Sequence, residues 1–373
     1  MSVCSSSSSS SSSSSLPQRT EVEYFLSKEQ EAKKERIKSI VYGKNGVWKL
    51  RRRVRSRADV GLVVEALVGA KAGAGPYGLD LSKNGLSDDA VADLVVGLEG
   101  AGSVERLNLG WNKIRKRGLS ALGKWLESRA GGVLEALDLR GNALPPRECV
   151  RFLARITNFN TTLTSLSLAR VELATAAGAA LAELVASSAA LTTLDVGNCN
   201  LSASGCAHLA VGVQGSRSLA HLNMEGNRAG PGTAQALSPA LADPECPLLF
   251  LNLNCNALSP AGGVLLAPGL GANTSLSHLG LGWNGLATDG GLALAEALSP
   301  SSRLCVLDLR DNKFGYEVGT ALLPVLHALK ATLVTVDLSG NEFGDVAHAN
   351  DHRVSDGSEP KGTTRERPSR SSC

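Results

Sequence analysis

One eight-residue phrase constrains what this chain can become. Between Leu107 and Ile114 it reads LNLGWNKI. It returns as LDLSKNGL at Leu79, LDLRGNAL at Leu137, LSLARVEL at Leu166, LDVGNCNL at Leu194 and LNMEGNRA at Leu222, then as LNLNCNAL at Leu251, LGLGWNGL at Leu279, LDLRDNKF at Leu307 and VDLSGNEF at Val336. Its sixth position falls on Asn84, Asn112, Asn142, Val171, Cys199, Asn227, Asn256, Asn284, Asn312 and Asn341, at intervals of 28, 29 or 30 residues. Such a period specifies a solenoid, whose units cannot bury their apolar side alone and stack to share one core.

Leu-x-Leu alternates with period two, so both leucines face one side of a short strand and the residue between them faces the other. Ten places after the Asn position a hydrophobic residue recurs, from Leu94 and Leu122 to Leu294 and Leu322. Four places further comes another, from Leu98 and Leu126 to Leu298 and Leu326, which makes one helical stripe per unit. Each unit therefore reads strand, turn, helix, return. Small residues sit just before the stripe (Ala90, Gly118, Gly178, Gly205, Gly232, Gly262, Gly290, Gly319). They predict a close approach of helix to strand.

This pattern, from Leu79 to Phe343, resembles the leucine-rich repeat of the ribonuclease-inhibitor class, whose long repeats pair a strand with a full α-helix. The resemblance implies an α/β solenoid, a horseshoe of about ten strand-helix repeats over residues 79–344, with a parallel sheet on the concave face and helices on the convex face. It implies less about function, because the class includes inhibitors, immune-receptor sensor regions, cytoskeletal and ciliary components, and the activating protein for the GTPase Ran. Two positions depart from its Asn. Cys199 is a common substitute there, whereas Val171 leaves an inter-repeat backbone hydrogen bond to be met some other way.

The flanks never repeat the phrase. Residues 1–20 hold the serine run Ser5 to Ser15 and read as a disordered leader. Residues 21–57 form a charged arm ending in the basic cluster WKLRRRVRSR, Trp48 to Arg57. That cluster reads as a solvated basic face, with nuclear targeting as an alternative; nucleic-acid binding, the lesser reading, would rest on it alone. Residues 58–78, with Val60, Val63, Val64, Leu67 and Val68 at helical spacing, read as an amino-terminal capping half-repeat without a strand of its own. Residues 345–373 are polar and read as a disordered tail, leaving the last strand uncapped. No apolar run spans a bilayer and no secretory signal is present. The reading is a cytoplasmic monomer, with the nucleus as the alternative and an organelle transit peptide left open by the acid-free, Ser-rich start.

No cofactor or metal constellation emerges. GLSALGKW at Gly118 follows phosphate-loop spacing, but Trp125 stands where a hydroxyl must hold magnesium. The eight cysteines show no CxxC pair and read as reduced thiols. Nothing supplies a catalytic elbow or carboxylate pair, so the expected function is a non-catalytic scaffold that binds a protein with some basic surface. In the resembled class the concave face does the binding. The expected contacts are Trp111, Trp283, Arg106, Arg140, Asp138, Asp195, His221, Phe250, Asn252, His278, Asp308 and Arg310. The plain alternative is that Asp in the phrase and Trp in GWN serve the repeat itself. The alternative functions are GTPase activation of the Ran-activator type and a sensor region of an NLR-like receptor. The tail, mixing Arg365, Arg367 and Arg370 with few acids, counts against the first.

Overall fold

The computed structural model describes residues 47–344 apart from 55, 70–77, 101–103, 129–130 and 299–302, together with four isolated positions between 28 and 35. The serine-rich leader, most of the charged arm and the polar tail lie outside the described residues. Eleven three-residue strands run in chain order through one parallel sheet: β1 (Val47–Lys49), β2 (Gly78–Asp80), β3 (Arg106–Asn108), β4 (Ala136–Asp138), β5 (Ser165–Ser167), β6 (Thr193–Asp195), β7 (His221–Asn223), β8 (Phe250–Asn252), β9 (His278–Gly280), β10 (Val306–Asp308) and β11 (Thr335–Asp337). Between them come α1 (Arg57–Gly69), α2 (Asp88–Gly100), α3 (Lys116–Glu127), α4 (Pro146–Phe159), α5 (Ala177–Ser187), α6 (Ser202–Gly215), α7 (Gly230–Ala242), α8 (Ser259–Ala272), α9 (Ala287–Ala297) and α10 (Tyr316–Ala328). The fold is an α/β solenoid.

The register puts every repeat in phase. Leu79, Leu107, Leu137, Leu166, Leu194, Leu222, Leu251, Leu279 and Leu307 pair laterally at the strand centres and are buried. Against them pack the helical stripe positions from Leu94 to Leu322. The Asn position ties neighbours together. In Asn227, Nδ2 donates to the carbonyls of Val196, Met224 and Glu225 at 2.8, 2.9 and 3.2 Å, and Oδ1 accepts the amides of Cys199 and Leu201 at 3.0 and 3.2 Å. One side chain thus satisfies backbone groups of two repeats that water cannot reach. At the Val171 step the ladder has no amide. There the Leu168 carbonyl is met by the Val171 backbone N–H at 3.1 Å and the Cys199 thiol at 3.0 Å.

Two expectations are corrected. The segment before α1 is not a strandless arm: Val47–Lys49 pairs in parallel with Gly78–Asp80, placing Trp48 beside Leu79. Trp48 and Leu50 are buried where other repeats carry their two leucines. The amino-terminal unit is therefore strand, turn and helix, and Arg51, Arg52 and Arg53 form its turn. Arg57, at the end of the basic cluster, pairs with Asp93.

The second correction concerns the small residues. Among the glycines, the closest approaches are to neighbouring helices, not strands. A Cβ on Gly178 in α5 would lie 2.3 Å from the Gly205 carbonyl oxygen in α6, and one on Gly212 would lie 2.5 Å from the Ala182 Cα in α5. Gly269 in α8 meets Ser238 in α7 at 2.3 Å, and the Gly269 amide donates to Ser238 Oγ at 3.0 Å. Gly61, mid-way along α1, has nothing within 4 Å. Gly61→Ala is expected to stabilise the protein by about 0.5–1 kcal/mol, because alanine restricts the unfolded chain without meeting a neighbour. A urea midpoint that fails to rise would contradict this.

The two ends differ. Trp48 is buried at β1, whereas at β11 Thr335 is exposed and Val336 and Leu338 are only partly buried. Leu338, Phe343, Leu322, Leu323 and Leu326 border an open apolar cleft of about 160 Å³ at that end.

Candidate functional site

The sheet turns four columns of side chains outward: each strand's first residue, its third, the residue two further on, and the residue after that. In the last column the backbone is left-handed in all eleven repeats, with φ from 53° at Asp311 to 70° at Gly340. The hydrogen bonding enforces it. The amides of Lys83, Trp111, Arg170 and Trp283 donate to Gly110, Arg140, Gly197 and Arg310 carbonyls in the next repeat, at 2.7 to 2.9 Å. Glycine adopts this conformation freely, as at Gly141, Gly226 and Gly340, while any other L-residue there carries roughly 1–2 kcal/mol of strain. Both predicted tryptophans occupy this column.

Trp111 is 43% exposed and Trp283 37%. Trp111 lies against the next repeat, where a Cβ on Gly141 would come within 2.6 Å of its ring. Lys83 Nζ sits 5.5 Å and Arg170 Cζ 5.9 Å from the ring centroid, so cations from the repeat before it and from the second repeat after it flank it. Sequence reasoning missed Lys83 and Arg170. Counting along the repeat, which puts both at the position of Trp111, would have found them.

The third-residue column is largely self-committed. Asp138, Asp195, Asn252 and Asp308 each accept the backbone amide two residues on, at Arg140, Gly197, Asn254 and Arg310, at 3.0 to 3.2 Å. This turn explains why Asp and Asn fill the column regardless of any partner. Their remaining groups join neighbours: Asp195 accepts from Ser167 and Asn223, Asn252 donates to Glu225 at 3.1 Å, and Asp308 accepts from Asn254 at 3.0 Å. Arg140 is held by Asp138 at 2.8 Å, and Arg310 lies between Asp308 and Asp337. The Ser339 hydroxyl and amide, with Arg310 adding its charge, hold the Asp337 carboxyl below the usual carboxylate range.

The first column brings together three predicted residues. His221, Phe250 and His278 stack across three consecutive strands, ring centroids 6.2 and 5.9 Å apart. Arg106, in the same column at β3, stands apart from them and is exposed.

Charge divides the concave face. Over β1 to β5 the four columns hold seven cations (Lys49, Arg51, Arg52, Lys83, Arg106, Arg140, Arg170) against two carboxylates (Asp80, Asp138). Over β6 to β11 they hold five carboxylates (Asp195, Glu225, Asp308, Asp311, Asp337) against one cation, Arg310.

Among the described residues no three His, Cys, Asp or Glu side chains gather to hold a metal ion. Among the described residues, Cys149, Cys199, Cys206, Cys246 and Cys305 carry free thiols. Burial pushes the Cys149, Cys199 and Cys206 thiols up to about 12, so they stay protonated. No helix among the described residues is long and apolar enough to cross a membrane.

A buried Asn ladder, one in-register parallel sheet and an outward helix per strand define a leucine-rich repeat protein. The profile described as Leucine Rich repeat matches residues 103–123, 188–210, 246–267, 272–295 and 330–347. In its repeats the chain is similar to the ribonuclease-inhibitor-like class of these proteins. It is 31% identical to the ribonuclease inhibitor of Sus scrofa over 202 residues, 54% of this chain and 44% of the inhibitor. It is also 31% identical to NACHT, LRR and PYD domains-containing protein 5 of Bos taurus over 179 residues, 48% of this chain and 16% of that protein. The chain thus spans less than half the length of either relative. Among solved structures, it is similar to the leucine-rich repeat-containing protein LegL7 from Legionella pneumophila, with TM-score 0.46 and 19% identity over 79% of this chain and 89% of that one. The yeast Rad7 and Elc1 complex gives a TM-score of 0.43 at 17% identity, over 89% and 94%.

Proposed function

We propose that this protein is a non-catalytic scaffold that binds a protein partner through the concave face, over the strands from β7 to β10. The observation that carries this reading is the solvent-facing ring stack of His221, Phe250 and His278. Trp283 stands on the rim of the same patch, 37% exposed on a strained backbone. Large aromatic side chains, tryptophan above all, are enriched in binding hot spots. The excess of carboxylates over β6 to β11 favours a partner with a basic surface. A second reading, the sensor or regulatory repeat region of a larger receptor, draws support from the similarity to NACHT, LRR and PYD proteins and uses the same face.

The test is affinity capture from the source cell with the intact protein and a Phe250→Ala/Trp283→Gly double variant. Glycine suits the left-handed backbone at Trp283, so the variant is expected to melt within about 2 kcal/mol of the parent. A partner retained by the parent and lost by this folded variant is the expected result. Identical captured proteins would remove the patch from the function.

A further inference from the structure

We infer that the amino-terminal strands form a second recognition surface, a cationic cradle around Trp111 that takes an extended acidic segment of a protein partner. It goes beyond the reading above, because it uses a different patch of opposite charge.

The unit corrected in the fold is what builds it. With Val47–Lys49 in the sheet, Lys49, Arg51 and Arg52 join the columns that hold Lys83, Arg106 and Arg170. None of these six cations has an ion-pair partner among the described residues, unlike Arg140, which Asp138 holds. Arg52, Lys83, Trp111 and Arg170 all occupy left-handed positions, with φ of 60°, 58°, 58° and 59°. Glycine would fit each of them without strain, so these long side chains are carried there at a cost to stability.

Dimensions and ring environment select the ligand. At about 4.8 Å per strand, the four strand steps from Arg52 to Arg170 span about 19 Å. An extended peptide of roughly six residues covers that distance. Its carboxylates would meet Arg52 and Lys83 at one end and Arg170 at the other, and an apolar side chain between them would lie on the exposed part of Trp111. A single-stranded nucleic acid would need an open ring face for base stacking. The Trp111 ring already carries Lys83, Arg170 and the Gly141 backbone. Protein, not nucleic acid, is the better fit.

The experiment titrates the full-length protein against three fluorescently labelled probes: a peptide of about eight residues with glutamates flanking one phenylalanine, the same peptide with lysines for glutamates, and a thymidine oligonucleotide. Selective binding of the acidic peptide, weakening as salt rises, is expected. Lys83→Glu/Arg170→Glu, checked by circular dichroism, should weaken it by roughly tenfold or more. Phe250→Ala/Trp283→Gly should leave it unchanged, so this surface and the aromatic patch succeed or fail separately. Should the charge reversal leave the fold altered, Trp111→Gly takes its place with the same expected loss. Equal binding of both peptides, tighter binding of the oligonucleotide, or indifference to these variants would overturn the assignment.

Discussion

Asn227→Ala is expected to lower the unfolding free energy by about 3–5 kcal/mol. The substitution leaves the Val196 carbonyl and the Cys199 and Leu201 amides without a partner, whereas the Met224 carbonyl keeps Asn256 Nδ2 and the Glu225 carbonyl keeps the Asn198 amide. Asn227 is fully buried, so water does not replace it. A buried polar group without a partner costs roughly 1–3 kcal/mol, and partial relaxation lowers the sum. Val171 shows why the cost is not universal: there a thiol and a local amide cover the exposed carbonyl. Alanine at 227 brings neither. Asn341→Ala, at the open end where the same position is partly buried, should cost only about 1 kcal/mol. Urea denaturation of both variants checks the pair. Equal losses would mean that burial does not set the strength of the ladder.

Gly178→Ala should destabilise the protein by about 3 kcal/mol, against the usual preference of helices for alanine. The new methyl would stand 2.3 Å from a carbonyl oxygen and 2.6 Å from the Cα of Gly205. Both obstacles are backbone, so no rotamer change relieves the overlap and α5 must move away from α6. For a domain of this size the shift in melting temperature is of order 5–10 °C downward. Gly61→Ala provides the matched contrast, since the same chemical change in open space should raise stability. If both glycines respond alike, the helix contact at Gly178 is looser than a 2.3 Å approach implies.

The sequence was most informative where one physical demand recurs. A residue that must be buried at every strand centre leaves a period, and the ten phrases land on the centres of β2 to β11. The eleventh strand was hidden because Trp48 replaces leucine and Arg53 takes the asparagine place, although Trp48-x-Leu50 keeps the alternation. Small residues before the helical stripe were legible as marks of close approach, but a one-dimensional pattern does not say which neighbour approaches. At the face, Trp111 and Trp283 were visible as unusual residues. The left-handed backbone beneath them was not, because φ at that column is set by hydrogen bonds to the next repeat. The split of charge across the face is equally illegible in the linear sequence. Its basic half depends on Lys49, Arg51 and Arg52, which become part of the sheet only once β1 is recognised.

The glycine contacts between helices also bear on curvature. A horseshoe bends because its outer layer needs more room per repeat than its inner one: packed helices stand about 8–10 Å apart and paired strands about 4.8 Å. Wherever backbone meets backbone on the outside, as between α5 and α6 or between α7 and α8, that difference shrinks. Such contacts are expected to straighten the arc there and to widen the inner radius beside β6 to β9. Glycines on the far side of the molecule therefore help set the breadth of the object the concave face can embrace.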